Sequence, residues 1–173
     1  MSQENALSDN VCNTAVGEQH ELVLSRTIEA SPAALFRCWA EPELMKQWFT
    51  PRPWTTPVVE IDVRSGGASY ILMRGPNGEE FPNRGVYLEV VPNERIVFTD
   101  AYTSAWELSG KPFFTGIITF TDAGDGKTIY TARARHWSAA DCEQHEKMGF
   151  HEGWGKAADQ LEAVASQLMQ TAG

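Results

Sequence analysis

The sequence has little that would bind it to a nucleic acid, a membrane or a covalent framework. Lys and Arg number 14 against 23 Asp and Glu, a formal net charge of -9. No basic run interrupts this acidic balance. A phosphate backbone needs clustered cations, so nucleic acid is not an expected partner. Anionic membrane surfaces are disfavoured for the same reason. No stretch reaches the roughly 18 apolar residues that a spanning helix needs. The three cysteines, Cys12, Cys38 and Cys142, are odd in number and far apart, with no C-x-x-C pair. That points to neither a disulfide framework nor a thiolate metal site. Residues 1 to 18 lack the basic start and apolar stretch of a secretory signal, so a cytoplasmic address is expected. Nucleophile-elbow and dinucleotide-binding glycine motifs are missing as well.

What is there is ample apolar material. With 173 residues, 42% of them hydrophobic, and six tryptophans, the chain can bury one sizeable core. Large aromatics need a core, a cavity wall or an interface to cover them.

Residues 1 to 18 are polar and aperiodic and read as a disordered tail; residues 19 to 170 read as one domain. Glu21 to Glu29 alternates in the manner of a strand. Ser31-Pro32 opens a helix, with serine as N-cap and proline at the first helical position. A second short helix spans Pro42 to Trp48. Strands follow around Val59–Val63, Ala68–Arg74, Phe81–Val91, Arg95–Tyr102, Phe113–Thr121 and Lys127–His136. Asn77-Gly78 marks one hairpin turn and Gly124-Asp125-Gly126 another. Ser138 to Asp141 resembles a capping box. From about Ala139 to Met169 the spacing predicts one long helix, with Phe150, Trp154, Ala157, Leu161, Val164 and Leu168 on one face. Gly149, Gly153 and Gly155 weaken its middle. Hairpin-linked strands give an antiparallel sheet, and the long amphipathic helix needs its concave face as partner.

Several strings resemble the START-like, or helix-grip, superfamily. They look like one branch of it, the homologues of the heat-shock-protein-90 ATPase activator C-terminal domain, often labelled polyketide-cyclase-like. The strings are Arg26-Thr-Ile-Glu-Ala-Ser-Pro32, Glu41-Pro-Glu-Leu44 with Trp48-Phe-Thr-Pro51, Asp62-Val-Arg-Ser-Gly-Gly67, and Met73-Arg-Gly-Pro-Asn-Gly78. Gly85-Val-Tyr-Leu-Glu89, Pro92-Asn-Glu-Arg-Ile96 and Gly153-Trp154 complete the set. The resemblance implies an α+β fold: a curved antiparallel sheet of six to seven strands wrapped around a long C-terminal helix, with two short helices after the first strand. It implies no single reaction, since such proteins bind lipids, hormones and polyketides, and a few are cyclases, dehydratases or hydrolases.

The candidate binding residues are aromatic for the most part. Trp48, Phe49, Phe81, Tyr87, Phe98, Tyr102, Trp106 and Phe113, with Met73, recur around the predicted cavity mouth. Phe150, His151 and Trp154 face it from the helix. Rigid aromatic walls with a few polar tips describe a ligand pocket. Arg133 could fix a ligand carboxylate if its strand face points inward; otherwise Tyr130, Ala132 and Ala134 pack inward and Arg133 meets solvent. His151 could act as a hydrogen-bonding or acid/base group, or sit at the helix edge. His145 and His151 lie about 240° apart around a helix and cannot form a helical metal pair. No metal or other cofactor is expected. Glu89 reads as a cross-strand partner of a cation such as Arg95, and Asp62 and Arg64 read as a surface pair.

The first expectation is therefore a module binding a small apolar or aromatic molecule between sheet and C-terminal helix. Its pocket is placed at the N-terminal half of the helix, roofed by Trp48, Phe49 and the loop around Trp106. An enzyme of cyclase or hydrolase type, using His151, Arg133 or Tyr87 on a polyketide-like or lactone-like substrate, is the alternative. A chaperone-associated surface role is a second alternative. Pairing with another copy of the chain is left open.

Overall fold

The computed structural model describes residues 20–104 and 106–171; the tail expected over residues 1 to 18 lies outside them. In chain order the elements are β1 (His20–Ile28), α1 (Pro32–Ala40), α2 (Pro42–Met45), β2 (Thr55–Ile61), β3 (Ala68–Arg74) and β4 (Glu80–Val91). Then come β5 (Arg95–Thr99), β6 (Tyr102–Ser104), β7 (Glu107–Leu108), β8 (Phe114–Gly124), β9 (Lys127–His136), α3 (Ala139–Lys147) and α4 (Phe150–Thr171). Ser31 Oγ accepts from the amide of Ala34, and Pro32 fills the first helical position of α1, so the sequence signal and the local structure coincide.

Seven strands form one antiparallel sheet in the order β1-β9-β8-β5-β4-β3-β2. The first and last strands of the chain pair, which brings the N-terminal strand beside the C-terminal helix. Period-two alternation assigns the faces. Leu24, Ala132, Ile118 and Ile96 stand opposite one another across four strands, and the last three are fully buried. They line the concave face, together with Ile71 and Val59, which pair across β2 and β3.

Helix α4 lies over that face. Leu161 and Ala165 are fully buried, and Trp154, Ala157, Val164 and Leu168 pack partly buried against the same core. Polar ties fix its position. Arg26 bonds Asp159 at 2.6 Å, and Glu162 accepts from the amide of Glu29 at 2.9 Å. Gln160 donates to the carbonyls of Trp48 and Thr50, each at 2.9 Å.

Two expectations need correction. The predicted single helix over 139 to 169 is two helices, broken at Gly149, whose φ of 92° is the left-handed conformation that ends helices. Gly153 and Gly155 remain inside α4; helix propensity there yields to packing. The predicted strand Arg95 to Tyr102 ends at Thr99, and the chain then forms a separate small hairpin, β6–β7. One cysteine also differs from expectation. Cys38 is a free, fully buried thiol, with burial pushing its pKa up to about 12, whereas Cys142 is disulfide-bonded.

Candidate functional site

The break at Gly149 has a local consequence. Ser138 Oγ caps α3 by accepting from Asp141 N at 3.1 Å, and the helix runs back along the end of β9. On β9, His136 continues the inward phase of Tyr130, Ala132 and Ala134 and stands opposite His20 and Phe114. His145, from α3, meets it there: His136 Nε2 and His145 Nδ1 are 2.8 Å apart. His136 Nδ1 lies 3.1 Å from the carbonyl oxygen of His20. A carbonyl only accepts, so His136 must carry its proton on Nδ1. Its Nε2 is then the acceptor in the neutral ring, and His145 Nδ1 is the donor. The remaining nitrogen, His145 Nε2, is left as a bare lone pair.

Rings enclose this pair. The His145 ring centroid lies 5.2 Å from those of Phe113 and Phe150, 5.3 Å from Phe114 and 5.9 Å from Trp154. Desolvation, followed by the neighbouring His136, lowers the pKa of His145 to about 4. His136 is lowered by desolvation too, against the charges of Asp141 and Asp100. Both rings are therefore neutral near pH 7. Asp100 accepts from the amides of Phe113 and Phe114 at 2.8 to 3.2 Å. Burial pushes its pKa up while those amides oppose the shift.

From the pair, the rings continue along the concave face. Phe114 meets Phe98 at 6.0 Å, Phe98 meets Trp39 at 5.9 Å, and Trp39 meets Trp48 at 4.9 Å and Phe49 at 6.3 Å. Phe98 lies over Gly116, where an added Cβ would collide with its ring. That close approach is the reason for glycine in the middle of β8.

The structure brings most of the sequence-selected residues to this face. Phe98, Phe49, Phe113 and Trp154 are half-buried there, and Phe150 is fully buried beside Trp154 at a centroid distance of 4.6 Å; Met73 is half-buried further along β3, opposite Phe81. Trp48 is buried, and its indole N–H donates to the carbonyl of Cys38 at 3.0 Å. Tyr87 is sealed in the core, with desolvation raising its pKa. Phe81 stands opposite Met73 at the rim, 53% exposed, against Trp54. His151 is half-buried on the flank of α4, its ring 5.0 Å from Phe150.

Three expectations move. Tyr102 and Trp106 pair with each other on the β6–β7 hairpin, and Trp106 is 64% exposed. It does not roof the helix. Arg133 lies on the convex face, where it and Arg135 both bond Glu21 at 2.7 Å; the odd positions of β9 point away from the helix. Glu89 pairs with Arg95 at 2.9 Å and Asp62 with Arg64 at 2.7 Å, as expected of surface partners.

Sequence reading missed His136 and His145. The first was legible from its phase with Ala132 and Ala134. The second needed the helix break, which no periodicity shows. Among the described residues no group of His, Cys, Asp and Glu is placed to hold a metal ion, and no helix is long and apolar enough to cross a membrane. A separate cleft of about 410 Å³ lies between the β2–β4 edge and β6, with Glu60, Asp62, Tyr70, Arg84 and Ser104 in its wall. It is open and of mixed lining, and the guanidinium of Arg84 sits 4.3 Å above the Tyr70 ring.

Comparison with known proteins places this geometry in context. The family model described as Activator of Hsp90 ATPase homolog 1-like protein matches residues 29–166. A crystal structure of a Nitrosomonas europaea protein is similar, with 37% identity, a TM-score of 0.83, and coverage of 87% of this chain and 96% of that one. A Mycobacterium smegmatis protein has 25% identity and a TM-score of 0.71 over 86% of this chain and 92% of its own. A Chromobacterium violaceum protein, at 24% identity, shares the fold with a TM-score of 0.69 over 83% of this chain and 96% of its own. No curated protein matches the chain in sequence.

Proposed function

The chain belongs to the Activator of Hsp90 ATPase homolog 1-like family, within the START-like superfamily, and from that premise we propose that it binds a small, largely apolar or aromatic molecule between its sheet and C-terminal helix. The helix-grip fold suits ligand binding in general. The observation that carries the proposal is incomplete cover on the concave face. Met73, Phe98, Phe114 and Trp154 point inward by register or helix phase, yet each keeps part of its surface accessible, and Phe81 at the rim is 53% exposed. Water against inward apolar groups is unfavourable, and such surface marks a binding groove. Aromatic walls with few polar tips fit a flat apolar guest.

The proton-transfer alternative gains nothing from the geometry. Arg133 faces away, Tyr87 is sealed, and His151 has no hydrogen-bonded partner of its own among the described residues. The test is titration with a neutral apolar dye, N-phenyl-1-naphthylamine, read by dye emission and tryptophan quenching. Saturable one-to-one binding, weakened at least tenfold by Trp154→Ala, is expected. No saturable binding up to the solubility limit of the dye would overturn the proposal.

A further inference from the structure

We infer that His145 is the polar reader of this site: its Nε2 accepts a hydrogen bond from the hydroxyl of a neutral, flat aromatic ligand, that is, a phenol. The inference rests on the binding reading above and names the class of ligand.

The polarity of the chain of groups fixes the lone pair. The His20 carbonyl accepts from His136 Nδ1, His136 Nε2 accepts from His145 Nδ1, and a neutral imidazole has one proton to give. His145 Nε2 must therefore accept. No group among the described residues donates to it, and His145 keeps 8% of its surface exposed. A reachable acceptor beside half-covered rings asks for a donor. Phe113, Phe114 and Trp154, all half-buried and all within 5.9 Å of the His145 ring, supply the faces and edges that an aromatic guest prefers.

The same surroundings exclude other guests. A carboxylate would need a cation, and the nearby Arg133 and Arg135 are on the opposite face of the sheet, held by Glu21. Asp100 and Asp141 add negative charge on the near side. Since His145 stays neutral down to a pKa of about 4, it is an acceptor at physiological pH and too weak a base to remove a phenolic proton. Recognition, and not proton abstraction, follows. An apolar aromatic without a hydroxyl would leave the lone pair desolvated and unmet, which lowers its affinity.

The test uses a matched pair, 2-naphthol and 2-methoxynaphthalene, titrated calorimetrically into the full chain at pH 7. The wild type is expected to prefer the naphthol about tenfold, the usual effect of one hydrogen bond. His145→Phe, which keeps a ring in place, should bind both equally. In histidine-labelled protein the ¹⁵N resonance of His145 Nε2 should shift with 2-naphthol and stay fixed with its methyl ether, so the outcome does not depend on the variant folding. Equal wild-type affinities, a preference that persists in His145→Phe, or an unmoved resonance in the naphthol complex would overturn the inference and leave the binding site standing. Binding of neither compound up to its solubility limit would overturn both.

Discussion

Helix α4 meets the sheet through two different chemistries. Toward its C-terminal half, Leu161 and Ala165 join one cluster with Ile28, Leu35, Ile96 and Ile118, every one of them fully buried. Toward its N-terminal end, Phe150 joins a smaller cluster with Leu22, Ala134 and Cys142, while Phe114 and Trp154 remain partly exposed. Branched aliphatic side chains interdigitate and leave no gaps. Rings meeting edge to face leave space between them and need partners for any polar tip. One helix thus carries a closed end that stabilises the domain and a second end where inward rings stay partly exposed, the end at which the proposed guest would bind. The three buried histidines, His20, His136 and His145, sit together at that second end.

The comparison breaks most readily at Leu161. Leu161→Ala should cost about 3–4 kcal/mol, since a fully buried site with rigid neighbours relaxes little around the cavity left behind. Urea denaturation measures this, and dye affinity in the folded variant should stay within about twofold. A cost under about 1 kcal/mol would show that the closed end is not closed.

Acid should act on the other end. An unfolded histidine titrates near 6.5, whereas folded His145 titrates at about 4 and His136 is lowered in the same direction. Between those values the unfolded chain takes up protons that the folded chain refuses. Stability from this source is complete above about pH 6.5 and drains as the pH falls toward 4, a loss on the order of 2 kcal/mol. His145→Phe should flatten the decline between pH 7 and pH 5, a window that largely precedes carboxylate titration. An unchanged slope in that variant would remove the pair from the account.

Trp154→Ala should separate stability from binding. The ring is only partly buried, so the cost should be about 1–2 kcal/mol, below the range for fully buried rings, while dye binding falls at least tenfold. Gly149→Ala should cost about 1 kcal/mol through its left-handed φ. Because that glycine aims α3 at β9, the variant should also blunt the tenfold phenol preference, read by the same matched pair.

Much of this was legible in the sequence, and the part that was not has identifiable physical causes. Alternation gave the strands, Ser31-Pro32 the first helix, and the step pattern from Phe150 to Leu168 the inward face of α4. The Nitrosomonas europaea relative has the same fold at 37% identity. Periodicity could not show where a helix stops when both halves continue in plausible helical sequence, so the break at Gly149 and the placement of His145 stayed hidden. Trp106 misled because aromaticity alone does not say which side of a loop a ring occupies; its partner is Tyr102 on the same hairpin. Strand phase could have resolved His136 and Arg133 together, since a face that takes Ala132 and Ala134 inward takes His136 with them and leaves Arg133 outside.

Arg133 supplies the smallest effect and the sharpest control. On the convex face it shares Glu21 with Arg135, each pair at 2.7 Å, and its side chain is 41% exposed. Ion pairs in contact with water contribute little because solvent screens them and two long side chains must be held in one geometry. Arg135 also continues to neutralise the carboxylate when Arg133 is removed. Arg133→Ala should therefore change stability by no more than about 0.5 kcal/mol and leave dye and naphthol affinities within about twofold. Were it instead to weaken binding tenfold, as an inward guanidinium clamping a ligand carboxylate would require, the faces of β9 would be reversed. The neutral-phenol site built on His136 and His145 would fall with them, since the two sets of side chains alternate along a single strand and cannot both point at the helix.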